Sequence, residues 1–139
     1  METTRKNYWQ HKLLNLSSGF MSSRIFLTAL ELGVFNSIAA KRMTAAEITS
    51  TLNTDLRGTE VLLDALSGLG LLQKIDDHYS NLPDVWALLD PAGPGCGFSD
   101  GVRRWDAWSS LTDIIRTGKH NDAPWTDERK KDFARAMKL

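Results

Sequence analysis

Thr44-Ala45-Ala46-Glu47-Ile48 is the stretch on which the fold turns. A Thr with Glu three residues later is a capping box, in which hydroxyl and carboxylate each satisfy a backbone N–H left unpaired in the first turn of a helix. Met43 before the cap and Ile48 after it form a hydrophobic staple. The helix so started carries Ile48 and Leu52 inward and ends near Asn53. Thr54-Asp55 then offers a second N-cap. A second helix follows with Val61, Leu62, Leu66 and Leu69 on its buried face, and Gly70 stands at a C-cap position. Two short capped helices joined by a tight turn resemble a helix-turn-helix.

Downstream the pattern changes. Leu71-Leu72-Gln73-Lys74-Ile75, Asp76-Asp77 and His78-Tyr79-Ser80-Asn81-Leu82 read as strand, turn and strand, a two-stranded wing. A short helical stretch from Asp84 to Leu89 precedes Pro91 to Gly101, which is rich enough in Gly and Pro to be a loop. Trp105, Trp108, Leu111 and Ile115 then recur at helical spacing until Gly118. Asp127 to Leu139 begins one more helix, with Phe133 and Met137 a turn apart.

Upstream, Trp9, Leu13, Leu16 and Phe20 share one helical face, after which Ser17, Ser18 and Gly19 are expected to weaken the helix. From Met21 to Phe35 the residues Ile25, Phe26, Leu27, Ala29, Leu30, Leu32 and Val34 point nearly all round, interrupted by Arg24, Thr28 and Glu31. Such a helix must be buried on several sides. A domain this small has little interior to offer it, so a partner subunit is the economical explanation. The expected dimer interface comprises Leu13, Leu16, Phe20, Ile25, Phe26, Ala29, Leu30 and Leu32.

Composition narrows the function. A chain of 139 residues supports one domain that buries about two-thirds of its unfolded surface. Lys plus Arg and Asp plus Glu are 17 each, so no global field draws the chain to phosphate backbones or anionic membranes. The single Cys96 forms no internal disulfide, and two of the three His residues lie far from it, so no metal site is suggested and a reducing, cytoplasmic setting is expected. Met1 to His11 is polar where a signal peptide would be apolar, and no stretch approaches a membrane span of about 20 apolar residues.

Several separated blocks together resemble the N-terminal dimerisation domain of class I SAM-dependent small-molecule O-methyltransferases, including the acetylserotonin type. They are Gly19-Phe20-Met21-x-Ser23-Arg24-Ile25, Ala29-x-Glu31-Leu32-Gly33-Val34-Phe35, Gly58-Thr59-Glu60-x-Leu62-Leu63-Asp64-Ala65-Leu66, Gly70-Leu71-Leu72, and Trp108-x-x-Leu111 through Arg116-Thr117-Gly118. The resemblance implies a mainly α winged-helix domain with a small two-stranded β-hairpin wing and additional flanking helices. It further implies an intertwined homodimer whose N-terminal helices help to wall the partner's active site, and a winged helix that binds no DNA. In this family the cofactor S-adenosylmethionine and the general-base His belong to a C-terminal domain, so this chain is expected to hold no cofactor and to be inactive alone. Asp76-Asp77 stands where the family often has Asp-Gly.

Leu88-Leu89-Asp90-Pro91-Ala92-Gly93-Pro94-Gly95-Cys96-Gly97 superficially imitates the cofactor loop. Glycines serve there by letting the chain turn tightly from strand to helix against the cofactor. Here Pro91 and Pro94 remove donors and stiffen the segment, and one residue too many separates Asp90 from Gly93. The residues that follow are also too few for repeated strand–helix units of about 30 residues each. A plain loop is the better reading, and the chain is expected to stop before the catalytic domain. The expected organisation is residues 1–90 as the winged-helix dimerisation domain, 91–101 as loop and 102–139 as connecting helices. None of His11, His78 and His120 sits in a setting that argues for catalysis.

Four residues are candidates for lining a small aromatic or phenolic substrate. Phe20 and Met21 could reach the partner's pocket or pack in the dimer core; Trp105 and Trp108 could roof an acceptor, although core packing explains their spacing as well. Arg103 and Arg104 beside them read as a solvated face. Two rival functions are a DNA-binding winged-helix regulator and a stand-alone dimeric module that binds a small ligand. The regulator would need a basic recognition helix, whereas Thr54 to Leu69 carries Asp55, Glu60 and Asp64 against Arg57.

Overall fold

The computed structural model describes residues 2–92, 98 and 100–119, together with 126, 127, 130, 131, 134 and 137. Gly93 to Gly97 with Cys96, His120 and Phe133 lie outside the described residues, as does most of the helix expected over Asp127 to Leu139.

Helix α1 runs unbroken from Glu2 to Leu32. The weakening expected at Ser17-Ser18-Gly19 does not interrupt it. Both serine hydroxyls donate to the carbonyl of Leu14, at 2.9 and 2.7 Å, so their polar groups are satisfied inside the helix. Termination comes at Gly33, whose φ of 77° ends α1 and turns the chain into α2, Val34–Ile38. The segment expected as one all-round apolar helix is therefore two helices. Val34, Phe35 and Ile38 of α2 enter the core of their own chain, together with Ala29 of α1.

The helix-turn-helix forms as expected. Thr44 caps α3, Ala45–Leu52: its hydroxyl accepts from the Glu47 amide at 3.3 Å, and the Glu47 carboxylate accepts from the Thr44 amide at 2.7 Å. Asn53, in the left-handed conformation, closes α3. Asp55 caps α4, Leu56–Gly68, by accepting from the Gly58 amide at 2.8 Å. Gly70, at φ 72°, follows the helix as the left-handed residue of a Schellman motif. Its amide donates to Ser67 and the Leu71 amide to Leu66.

The buried face of α4 is Thr59, Leu63 and Leu66, with Leu62 beside them. Val61 and Leu69 are exposed, contrary to expectation. Apolar residues at 61, 62, 63, 66 and 69 fit more than one stripe, and the stripe one turn apart through Leu63 is the one that faces α3 and the sheet.

The wing is a three-stranded sheet rather than two-stranded. β1, Met43–Thr44, β2, Leu72–Ile75, and β3, His78–Asn81, are ordered β1-β3-β2 and all pairs are antiparallel. Met43 opposes Tyr79 and Thr44 opposes His78, so the capping Thr is also a strand residue. Asp76 has φ 55° and Asp77 does not enter positive φ, which is the sign pattern of a type II′ hairpin.

Helix α5, Pro83–Leu89, packs Leu89 into the core. Helix α6, Asp100–Ser109, and helix α7, Leu111–Thr117, replace the single helix expected up to Gly118. Ser110 separates them, its hydroxyl donating back to the Ala107 carbonyl at 2.7 Å. The core thus lies between α1's C-terminal end, α2, α3, α4 and the sheet. Among the described residues no helix is long and apolar enough to cross a membrane.

Candidate dimerisation surface

At 3.6 residues per turn, Trp9, Leu13, Leu16 and Phe20 of α1 fall within about 60° of one another around the helix. All four keep about half or more of their surface open: they are 47%, 62%, 73% and 55% exposed. Tyr8, Leu14 and Met21 beside them are exposed as well. A helix of 31 residues is about 46 Å long, more than a small domain's diameter, so its N-terminal half runs past the body. Single exposed apolar residues are ordinary on protein surfaces, but a contiguous stripe marks an interaction site.

Further along the same face α6 takes over. The Phe20 and Trp105 rings lie 6.4 Å apart, and the Arg24 guanidinium sits 5.6 Å from the centre of the Trp105 ring while pairing with Glu31 at 3.3 Å. Gly101 passes so close to α1 that a Cβ there would meet the end of Leu27 at 2.6 Å. The uncovered stripe therefore ends at Phe20.

Of the expected substrate-lining residues, Phe20 and Trp105 meet, Met21 follows Phe20 on the helix, and Trp108 stands apart at 69% exposure. Trp108 is not part of this chain's core, and Leu111 and Ile115 on α7 are exposed as well. Of the expected interface residues, Leu13, Leu16, Phe20 and Leu32 are exposed, while Ile25, Phe26 and Leu30 pack partly against the core. Ala29 is 0% exposed, so its side chain has no surface left for a partner. Phe26 is covered on its own side by Phe35 and Phe98, at 6.1 and 5.9 Å between ring centres. The first half of α1 leaves its apolar stripe open, whereas most of the all-round segment after it packs against the chain's own core, with Met21 and Leu32 still exposed.

On the opposite side, α3, α4 and the hairpin frame an open groove of about 400 Å³, edged by Leu56, Glu60, Lys74, Asp76 and Asp77. Its one ammonium is committed: Lys74 Nζ lies 2.6 Å from Asp64 Oδ1. That bond, with one from Tyr79, holds the Asp64 carboxyl below the usual carboxylate range and the Lys74 ammonium above its own.

The glycine-rich segment has the wrong entry for a cofactor loop. Leu88 and Leu89 end helix α5, and Asp90 is its C-cap with its amide bonded to Trp86, where a dinucleotide-type site needs a strand. Among the described residues no three or more His, Cys, Asp or Glu side chains are grouped to hold a metal ion.

Residues 14–90 match the family model of the O-methyltransferase dimerisation domain, more than half of the chain, and the chain belongs to that family. Among curated proteins it is 33% identical over 114 residues to the tetracenomycin polyketide synthesis 8-O-methyl transferase TcmO of Streptomyces glaucescens, covering 77% of this chain and 33% of the relative. It is 39% identical over 117 residues to the acetylserotonin O-methyltransferase of Mus musculus, covering 77% of this chain and 30% of the relative. Among solved structures it is similar to PigF with SAH, at a TM-score of 0.79 and 25% identity over 92% of this chain and 43% of that one. The human N-acetylserotonin methyltransferase in complex with SAM has the same fold over 92% of this chain and 44% of that one, with a TM-score of 0.71 and 24% identity. The chain spans about a third or less of the length of the curated relatives it matches.

Proposed function

We propose that this chain pairs with a second copy of itself through α1 and is the dimerising, substrate-enclosing part of a SAM-dependent O-methyltransferase that acts on a small aromatic or phenolic hydroxyl in the cytoplasm. The observation that carries the pairing is the exposed stripe of Trp9, Leu13, Leu16 and Phe20. Burying it removes four large apolar side chains from water, each contributing on the order of 1.5–3 kcal/mol when fully covered. Light scattering at micromolar concentration is expected to give a dimer. Leu16→Asp is expected to shift it to monomer with most helical circular dichroism retained, because Leu16 is 73% exposed in its own fold. A wild-type monomer overturns the reading.

The methyl-transfer part of the reading is supported by the O-methyltransferases among the relatives, and by SAH and SAM in the titles of similar structures. The residues at hand do not fit the cofactor, since a helix rather than a strand leads into the glycines, so cofactor and chemistry are assigned to a part of the enzyme outside them. Within this reading Phe20, Met21, Trp105 and Trp108 line the substrate side. Calorimetry with S-adenosylmethionine is expected to show no binding to this chain, and a micromolar constant overturns that assignment. No nucleic-acid role is proposed: the groove beside α4 presents Glu60, Asp76 and Asp77, whose charges repel phosphate.

A further inference from the structure

We propose that the groove between α3, α4 and the wing is a docking site for a segment of another protein that presents a large apolar side chain flanked by Lys or Arg. The inference goes beyond the pairing and methyl-transfer reading and uses no residue of α1.

The form of the groove suits a polypeptide. It holds about 400 Å³ and is open to solvent, whereas a site for a small molecule encloses most of its ligand. Ala45, Ala46, Leu56 and Tyr79 contribute its apolar lining. Both alanines end at Cβ, so the space beside them is left for an incoming side chain. Leu56 stays 45% exposed, and a side chain laid against it removes apolar surface from water.

Charge sets the sign of the partner. Glu60, Asp76 and Asp77 stand at the edge, and Asp77 remains 78% exposed although His78 Nδ1 lies 2.6 Å from one of its oxygens. Among the described lining residues the one ammonium is that of Lys74, and it is held by Asp64 at 2.6 Å. Arg57 follows Leu56 on α4 but does not line the groove. Cations on a partner would therefore meet carboxylates with little competition from this chain.

Two helix starts at the groove, Ala45 of α3 and Leu56 of α4, would by themselves draw an anion instead. Both are already answered from within. The Glu47 carboxylate accepts from the Thr44 amide at 2.7 Å and the Thr44 hydroxyl at 3.0 Å, and Asp55 accepts from the Gly58 amide at 2.8 Å. The bonds from Thr44 hold the Glu47 carboxyl below the usual carboxylate range, so it adds a further negative charge at neutral pH. Among the described residues the carboxylates are not grouped to hold a metal ion. Their spread suits the separate Lys and Arg side chains of a polypeptide rather than one ion.

The test uses the 139-residue chain and three dye-labelled peptides, read by fluorescence anisotropy. The first is a short run of Lys with a central Leu, the second has Gly in place of that Leu, and the third has Glu in place of every Lys. Saturable binding of the first is expected at about 10 mM salt, where the Debye length is about 30 Å, and its loss at about 1 M, where it is about 3 Å. The Gly peptide is expected to bind about tenfold more weakly, because the buried anchor is gone. The Glu peptide is expected not to bind.

Variants place the site. Glu60→Lys and Asp77→Lys are each expected to weaken the first peptide about fivefold. Ala46→Trp fills the groove without touching a charge and is expected to abolish the advantage of Leu over Gly. Leu16→Asp, on α1, is expected to change nothing. Each variant is checked by thermal melting, and the peptide comparison on the wild-type chain stands even where a variant fails to fold.

Equal binding of the Leu and Gly peptides, or unchanged binding by Ala46→Trp, means diffuse attraction and overturns the proposal. So does binding of the Glu peptide. Growth of the wild-type chain beyond a dimer at low salt, abolished by Glu60→Lys, makes the occupant a second copy and overturns the partner named here. A monomeric wild-type chain overturns the pairing reading alone, since the groove lies within one chain.

Discussion

The phenolic hydroxyl of Tyr79 donates to Asp64 Oδ1 at 2.7 Å, tying the central strand of the sheet to helix α4. Lys74 donates to the same oxygen at 2.6 Å from the neighbouring strand, its ammonium 5.0 Å from the centre of the Tyr79 ring. The Tyr79 side chain is buried, and its hydroxyl is the one polar group it must satisfy. Tyr79→Phe is expected to cost about 1 kcal/mol in urea unfolding with an unchanged denaturant slope.

Asp64 links this cluster to pH. Its bonds from Lys74 and then Tyr79 lower its pKa in the folded chain, so it contributes stability that is present above the unfolded carboxylate value and lost as pH falls through the lower folded one. The side chain is 53% exposed, so the contribution is that of a solvent-screened pair and small. Asp64→Asn is expected to flatten the acid side of the stability–pH curve, as read by thermal melts from neutral to acid pH.

Asn81 joins β3 to the end of α2. Its amide nitrogen donates to the carbonyls of Phe35 and Ala39, both at 2.9 Å, while its own oxygen is buried without a partner among the described residues. Asn81→Ala is expected to cost about 2 kcal/mol in urea unfolding through the two lost bonds. Asn81→Asp keeps the shape but aims a carboxylate at two carbonyl oxygens, and is expected to cost more than the alanine variant despite removing fewer atoms.

Two glycines two residues apart are expected to respond with opposite signs. Gly70 is held at φ 72° by the Schellman motif, so Gly70→Ala is expected to destabilise by about 1 kcal/mol. Gly68 lies in the last turn of α4 with open space where a Cβ would go, and Gly68→Ala is expected to stabilise by about 0.5 kcal/mol through helix propensity. Paired thermal melts of the two variants check the contrast.

Features written in local chemistry were legible in the sequence. Thr44 with Glu47, Asp55 before α4, and Gly70 after it act through hydrogen bonds and dihedrals within a few residues, and each stands where the sequence places it. Features that depend on distant partners were not. β1 is two residues long and carries no alternation to read; it exists because β3 offers it a ladder. Val61 and Leu63 are equally apolar, and only the position of the sheet decides which is buried. The serines of α1 suggested a weakened helix because their hydroxyls compete for backbone hydrogen bonds, yet here they bond back to Leu14 within it.

The candidate surface was legible in part. Spacing put Trp9, Leu13, Leu16 and Phe20 on one face, but spacing does not say whether a face is covered. From Met21 to Phe35, where apolar residues point nearly all round, much of the cover comes from the chain's own α2, α3 and α4. Trp108 differs in the opposite way: its helical interval with Trp105 is compatible with shared burial, yet on the same helix α6 it stands 69% exposed.

The overhang of α1 makes folding and assembly one event for part of this chain. An isolated helix of about 20 residues is marginal in water, and Arg5 and Lys6 in its opening turns oppose the macrodipole. With Trp9, Leu13 and Leu16 largely exposed, the first half of α1 is expected to draw its order from what it docks against, so that its helicity follows mass action. Protein concentration then acts on this segment as temperature or denaturant acts on the core: dilution frays the arm while the body from Ala29 to Leu89 stays folded.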